Sequence, residues 1–540
     1  MSTPWRAAVA FTLLAPPLAA QSAGNLARAV SRPSFTAHLN FLASDALEGR
    51  GTGARGATIA ARYVAAQFAR LGLEPAGDSG TWYQRIPLTG RRYTMSLGVG
   101  DSVYRAGEDY VAYTEGDSSA VRAGAVFVGY GIRAPELGWD DYAGADVRGR
   151  VVIALAGTPA DQDAPAFRAS KRTDYAYRQY KVDEAFRHGA AAALVVYRPH
   201  VLPASWDDVV EAWTGEQLRL EGSGTAARPD AIGGWLNLPA ARRLARNAGQ
   251  DFDQLLAAAA RPAFRAVGLP IPVALSVEAA TRQVPAFNVV GRLRGMGRRA
   301  TQAVLLGAHY DHLGIGRPVH GDSIYNGLID NASGTAGMLA VAEAFVTARV
   351  RPARTVYFVA FGAEEAGLLG SEAFVRRPPV PLDSLAGMVN IDGMNLFADT
   401  RDIAALGSDL SSLGDLFRAA AAAEGYTISP PDAPLLVEAG KQNFFDRSDH
   451  ASFARAGVPA LFMYFGGDVA GRGPAYGPEV FGRYLQSHYH QPSDDLRLAE
   501  DIPGGVHELR VVARTLLAAA DAPATPRWTA ASPYQRRADP

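Results

Sequence analysis

Cysteine is absent from all 540 residues. That excludes disulfides, thiolate metal sites and a cysteine nucleophile, so any bound metal ion must be held by nitrogen and oxygen. Excess charge is absent too. The 53 basic residues stand against 54 acidic ones, a formal net charge of −1, which leaves no electrostatic footprint for nucleic acid or an anionic membrane surface. No run reaches the roughly 18–20 uninterrupted apolar residues that a membrane-spanning helix needs. The stretch Ala7–Ala15 is apolar but shorter; it follows Arg6 and leads through Pro16-Pro17-Leu18-Ala19-Ala20 to small residues. That layout predicts an export signal over 1–22, cut near Ala20 or Ala23. The expectation is an exported chain, periplasmic or secreted, with no membrane anchor.

What is present is ordinary globular composition, 48% hydrophobic and 20% charged, enough for more than one core. The run Ile59, Tyr63, Val64, Phe68, Leu71 has helical spacing and ends at Gly72. Glycines 49, 51, 53 and 56 do not follow a strand in a G-x-G-x-x-G setting and are read as a turn. After Trp82 short alternating segments dominate. Strands are expected at A-V-F-V-G-Y-G-I, G-R-V-V-I-A-L-A-G, 191–197 and 271–278, with helices over 181–189 and 239–259. From Val284 the pattern becomes α/β. Strand-like runs at 286–293, 302–308, 355–361, 388–391 and 458–462 alternate with helix-like runs at 333–348, 410–424 and 506–520. Strands separated by helices predict a mixed, mostly parallel sheet covered on both faces. Ligands of such sheets sit beyond the carboxyl ends of strands.

Those ends carry the chemistry. The text reads L-L-G-A-H-Y-D-H-L-G, then Y-N-G-L-I-D-N-A-S-G-T-A-G, then V-Y-F-V-A-F-G-A-E-E-A-G. Buried charge is unfavourable unless paired or coordinated, so His309, Asp311, Asp330, Glu364 and Glu365 at the ends of apolar runs point to a cation between them. His309 and Asp311 share one side of an extended chain; read alone, they are also a common hydrogen-bonded pair. Asp330 could cap the following helix or bridge ions. Of the adjacent Glu364 and Glu365, one can ligate while the other stands free as a base. Asp392 closes M-V-N-I-D, and the polar loop 487–495 brings His488 and His490. Six of the ten histidines fall between 309 and 490, which favours one site over scattered core positions. No such cluster occurs over 95–282.

Together G-A-H-Y-D-H-L-G, N-G-L-I-D-N-A-S-G-T-A, F-G-A-E-E-A-G-L-L-G-S, N-I-D, R-S-D-H-A-S-F and Y-H-Q-P-S-D-D resemble the co-catalytic zinc aminopeptidases, relatives of glutamate carboxypeptidase and the transferrin receptor. The resemblance implies two Zn2+ ions, one on His309 and Asp392 and the other on Glu365 and His490, with Asp330 bridging. It implies Glu364 as general base, Asp311 as the partner orienting His309, and Tyr489 as oxyanion donor. Peptide or protein N-termini would be the substrate. Relatives carry a polar residue before the bridging aspartate, whereas this chain has Ile329, which puts the hydrogen bonding there in question. Asp449-His450 is expected near the site, without a role. F-V-G-Y-G-I-R-A-P-E, W-D-D-Y-A-G-A-D-V-R-G-R-V-V-I and F-R-H-G-A-A-A-A-L-V-V-Y resemble a protease-associated domain, implying a role in substrate access.

The expected architecture is a three-layer α/β/α zinc-peptidase domain interrupted by a β-rich insert. It comprises a signal over 1–22, a first peptidase part over 23–94, the insert over 95–282, the main part over 283–522 and a disordered Pro-rich tail over 523–540. Alternatives on the same scaffold are a carboxypeptidase or dipeptidase, a glutaminyl cyclase with one working zinc, or a non-catalytic binding protein. The last predicts missing ligands, and here the full set is present.

Overall fold

The computed structural model describes residues 18–162, 167, 174–199, 201–202, 205–222 and 230–535. The expected signal lies mostly outside the described residues, and the first described element is the helix Leu18–Ala29. No helix among the described residues is long and apolar enough to cross a membrane. The chain divides into two compact units. One takes the residues up to Pro87 and from Pro285 onward; the other is Leu88–Val284, against the sequence expectation of 95–282.

In the first unit the sheet runs, in spatial order, Thr427–Ile428, Asp402–Leu406, Ala460–Phe465, Leu385–Ile391, Ala303–His309, Thr355–Phe361 and the closing residues of Val267–Leu293. The four strands from Ala460–Phe465 to Thr355–Phe361 are parallel. The flanking pairs on either side are antiparallel, so the sheet is mixed and mostly parallel. Alternate residues face opposite ways. Val304, Leu306, Ala308, Val356, Phe358 and Ala360 pack with the helices Gly334–Thr347 and Ile502–Asp521. Leu305, Tyr357, Val359 and Phe361 pack with Phe374 and Phe453 from Leu369–Arg376 and His450–Arg455. Helices thus cover both faces, which is why these strands read as unbroken apolar runs.

Gly334–Thr347 is buried almost all round, as expected of a helix apolar on every side. The strand after it lies on one side of Ala303–His309, and Leu385–Ile391 lies on the other. Successive connections therefore leave the central strand in opposite directions. Such a switch point opens a crevice at the carboxyl ends of the strands.

Besides the helices Leu369–Arg376 and His450–Arg455, two strands of this order escape the sequence pattern. Asp402–Leu406 and Thr427–Ile428 extend the sheet beyond Ala460–Phe465. The tail, expected to be disordered over 523–540, is packed through residue 535. Trp528 bridges Ser411, Ser412 and Thr529 donate backbone N–H groups to Arg527 and Leu410 carbonyls, and Tyr534 donates to Asp446 Oδ1 at 3.0 Å. Proline density hid two aromatic anchors, whose large apolar area offsets the ordering cost.

The helix Ile502–Asp521 also fixes the loop leaving Asp392. Its buried Glu508 accepts the Asn395 N–H at 3.4 Å, and Asn395 Oδ1 caps the backbone of Phe397 and Ala398. Burial, reinforced by Asp399 and Asp501, pushes the Glu508 carboxyl up to about 8. The folded chain therefore holds a proton that the unfolded chain releases near pH 4.5, and stability falls as pH rises through that window. Glu508→Gln removes the penalty. Its melting temperature should gain on the parent progressively from pH 5 to pH 9 in thermal melts, and a constant gap would refute the assignment.

The second unit, Leu88–Val284, is also built on paired strands. Residues 267–278, 118–127, 151–155, 192–196, 232–236 and 110–114 lie in that order, with parallel pairing from 118–127 to 232–236. Helices Arg178–Arg187, Trp206–Thr214, Leu238–Asn247 and Phe252–Ala259 accompany them. The sequence reads the last two as one helix over 239–259. Gly249, at φ 74°, ends the first, and Asp251 caps the second by accepting from Asp253 and Gln254 N–H groups. No metal-ligating group forms in this unit among the described residues.

Candidate metal centre

Ala303–His309 delivers His309 at its last residue, buried, with Asp311 two residues on. Glu364 and Glu365 follow Thr355–Phe361 through a turn in which Ala363 takes φ 56°. Asp392 follows Leu385–Ile391 directly. Three adjacent parallel strands thus deliver their chemistry to one crevice.

Asp330 comes from the segment before Gly334–Thr347 and does not cap that helix. Asn331 does the local work instead: its Oδ1 accepts from the N–H groups of Gly334 (2.9 Å) and Gly393 (3.0 Å), and its Nδ2 donates to the Ile391 carbonyl. Asp330 is left free to face inward. Its Oδ1 lies 3.3 Å from His309 Nε2, and its Oδ2 lies 3.1 Å from His490 Nε2. His309 Nε2 is also 3.1 Å from Asp392 Oδ1, and His490 Nε2 is 3.4 Å from Glu365 Oε2. All five expected ligands converge, as two pairs around one shared carboxylate.

These spacings fit a metal. Tetrahedral zinc with bonds of about 2.0–2.2 Å separates its ligand atoms by about 3.3–3.6 Å. His309, Asp330 and Asp392 offer donor atoms all within 4.8 Å of one another. So do His312, Asp330 and Glu365, and so do His309, Glu364 and Glu365. The charge balance agrees. Burial works against the His490 imidazolium, yet Glu365 and Asp330 outweigh it and lift that ring to about 10. Burial likewise opposes His309, which Glu364 and Asp392 hold well above its ordinary value. Four carboxylates around two imidazoles call for positive charge in the crevice.

Glu364 is buried, and its Oε2 stands 3.9 Å from His309 Nε2. Burial, with Asp392, Glu365 and Asp449 nearby, holds its carboxyl well above the usual range. For Glu365, burial and Asp330 push upward, but His490 and His312 prevail and hold it down to about 2. Adjacent glutamates are thereby split into a proton acceptor and a permanent anion, the separation that acid–base work requires.

Asp311 contributes differently from the expectation. The group of Asp311 nearest His309 Nδ1 is its backbone carbonyl, at 3.2 Å, with carboxylate Oδ1 at 3.9 Å. Its carboxylate instead accepts from the N–H groups of Glu364 (3.1 Å) and Glu365 (3.4 Å) and from Thr52 Oγ1 (2.8 Å). Asp311 therefore shapes the glutamate turn and steadies His309 through its carbonyl. Tyr489 stacks on His490 at 3.9 Å. Burial, then Asp330 and Glu365, keep its phenol protonated and able to donate.

Ile329, the departure from the polar residue of relatives, loses no backbone support. Asp494 is fully buried and accepts the Ile329 N–H at 3.0 Å and the Asp330 N–H at 3.2 Å, while the Ile329 side chain lines the crevice. Asp449 is buried close enough to influence His309, Asp392 and Glu364, and burial lifts it to about 7. His450 faces away, between the rings of Phe445 and Phe462; burial lowers it to about 3, so it is a neutral packing residue.

Three residues escaped the sequence reading. His312 Nδ1 lies 2.6 Å from Glu365 Oε1, and its signal was its place in the same string as His309. Asp494 stood in S-D-D, recognised only as part of a motif. Arg50, fully buried, donates to the carbonyls of Leu42, Tyr310, Asn326 and Gly327. It thereby binds the glycine turn to the loops around Asp311 and Asp330. Gly49 and Gly53 do turn the chain, at φ 66° and 77°, whereas Gly56 lies in the helix Arg55–Arg70, where a Cβ would lie 1.6 Å from the Leu47 carbonyl.

The crevice widens into a cavity of about 520 Å³ whose wall includes Phe444, Phe462, Phe465, Phe481, Tyr489 and Arg447. Aromatic surface beside a few convergent polar groups is the usual make-up of a small-ligand site.

Residues 288–506 match the model of Peptidase family M28. The chain is 28% identical over 188 residues to the leupeptin-inactivating enzyme 1 of Streptomyces exfoliatus, covering 34% of this chain and 40% of that protein. It is 28% identical over 243 residues to a probable lipoprotein aminopeptidase of Mycobacterium tuberculosis, covering 43% and 45%. These matches thus span less than half the length of the curated relatives. Among solved structures, an aminopeptidase from Aneurinibacillus sp. strain AM-1 superposes with a TM-score of 0.53 at 19% identity, over 94% of this chain and 97% of that one. At that identity the likeness establishes the fold.

Proposed function

We propose, from the premise that residues 288–506 form a Peptidase family M28 domain, that this chain is an exported metallopeptidase releasing N-terminal residues from peptides with two zinc ions. The observation that carries the reading is the double pairing around Asp330: His309 and Asp392 on one side, His490 and Glu365 on the other, with contacts of 3.1–3.4 Å. One ion would be held by His309, Asp392 and Asp330, the other by His490, Glu365 and Asp330. Bound there, the ions would supply Lewis acidity toward the scissile carbonyl and a water acidified toward neutral pKa.

The protein's own groups do the rest. Glu364 accepts the proton of the attacking water and returns it to the leaving amine. Tyr489, kept protonated, donates to the carbonyl oxygen as negative charge develops there. Asp311 holds the backbone of the glutamate turn, so that Glu364 faces the reaction while Glu365 ligates. The choice of N-terminal over C-terminal trimming rests on the likeness of the site's sequence strings to those of zinc aminopeptidases. The names of the Aneurinibacillus and Mycobacterium proteins agree with that choice. The unit Leu88–Val284 is read as a protease-associated domain on its sequence strings. Export rests on the leader at 1–22.

One observation favours carboxypeptidase or dipeptidase action. Arg447 is exposed on the cavity wall with Nη2 3.5 Å from the Tyr489 hydroxyl, where a guanidinium suits a C-terminal carboxylate. A peptide panel separates the readings. N-terminal acetylation should abolish cleavage, C-terminal amidation should leave it intact, and a chelator should stop it. Cleavage that survives acetylation but not amidation would assign the enzyme to C-terminal trimming.

A further inference from the structure

We propose that His312 is a positioning residue for the second ion: its Nδ1–H holds Glu365 Oε1 and thereby turns Glu365 Oε2 toward His490 and Asp330. The inference rests on the two-ion reading above and extends it to a residue outside the ligand set.

The contact is short and enclosed. His312 Nδ1 stands 2.6 Å from Glu365 Oε1, with the imidazole fully buried and the carboxylate only 10% exposed. The other oxygen, Oε2, lies 3.4 Å from His490 Nε2. One oxygen of Glu365 is therefore occupied within the protein while the other is presented to the crevice. A free carboxylate rotates about its last bond and can offer either oxygen. A fixed N–H on one of them removes that freedom before any ion arrives.

The residue is held on both sides. Its backbone N–H donates to the Arg50 carbonyl at 3.1 Å, and its main chain bridges Gly51. On the other side Gly327, at φ 57°, comes so close that a Cβ there would lie 2.5 Å from the His312 ring. Arg50 Nη2 holds the Gly327 carbonyl at 2.8 Å, so one buried guanidinium pins the wall against which the imidazole rests. His312 Nε2 is buried without a hydrogen-bond partner. An unpaired polar atom is unfavourable, and its retention here accords with Nδ1 being the nitrogen that matters. Partners that orient ligands in this way are worth about 10–100-fold in metal affinity.

The test is zinc affinity of the full chain, measured by titrating Zn2+ against a chromophoric chelator, independently of turnover. The parent should bind two ions. His312→Ala should leave one affinity unchanged and weaken the other about 10–100-fold. In His312→Asn the side-chain amide can occupy the place of Nδ1–H and should recover most of the loss. Equal affinities in His312→Ala and the parent would overturn the proposal. So would an Asn variant no better than Ala, the pattern of a direct ligand or a simple prop, or a loss shared equally by both ions. If the parent itself bound fewer than two ions, the two-ion reading would fall and this inference with it. An unaffected His312→Ala alongside a two-ion parent would remove only the inference about His312.

Discussion

Glu364→Gln should retain zinc and lose about 10²–10⁴ of kcat, the range contributed by a positioned acid–base group. In barrier terms that is about 3–5.5 kcal/mol. The amide keeps the size of the carboxyl and its place after the turn, where the Glu364 N–H is still held by Asp311 Oδ1. What it loses is the ability to accept a proton. In the parent, burial and the neighbouring carboxylates raise the proton affinity of Glu364. Elemental analysis and steady-state kinetics together decide the matter. Near-normal turnover would show that another group is the base. Zinc lost along with rate would make Glu364 a ligand, an outcome with a geometric basis, since Glu364 also forms a donor group with His309 and Glu365.

Asp330→Asn should be more damaging to the metal site than removal of any other single ligand. Asp330 is the residue whose two oxygens serve both sides, Oδ1 toward His309 and Oδ2 toward His490. Asparagine offers one oxygen, no charge and a pair of N–H donors that would face cations. The zinc content should fall from two per chain toward none, whereas His490→Ala should fall toward one. Turnover of Asp330→Asn should drop at least as far as in Glu364→Gln. The backbone should survive, because Asp494 accepts the Ile329 and Asp330 N–H groups whichever side chain follows. An Asp330→Asn chain that keeps two ions would dissolve the bridging role.

The residues that meet in the crevice were legible in the sequence for a physical reason. A parallel strand buried on both faces is an unbroken apolar run, and a charged residue at its end has no apolar place to go. His309, Glu364, Glu365 and Asp392 all announce themselves in this way, and His490 does so through a polar loop rich in histidine. The mixed, mostly parallel sheet followed from the same alternation of runs. The outer strands at 402–406 and 427–428 did not, being short and bounded by polar turns. The tail did not either, because its proline content outweighed two aromatic residues whose partners lie more than 80 positions away.

The supports of the site were decided by tertiary structure. Arg50 meets Asn326 and Gly327 across 276 and 277 positions, Asp494 meets Ile329 across 165, and Thr52 meets Asp311 across 259. No local periodicity encodes such pairings; they exist only once the sheet has ordered its strands and closed the loops above them. Asp311 illustrates the boundary. Its membership of the site was readable from H-x-D, but which of its oxygens faces the imidazole depended on where the glutamate turn came to rest. The sequence by itself determined which residues carry charge into the crevice, because burial leaves charged groups few alternatives. The folded chain decided what holds each of them in place, because hydrogen-bond partners are chosen by proximity in space.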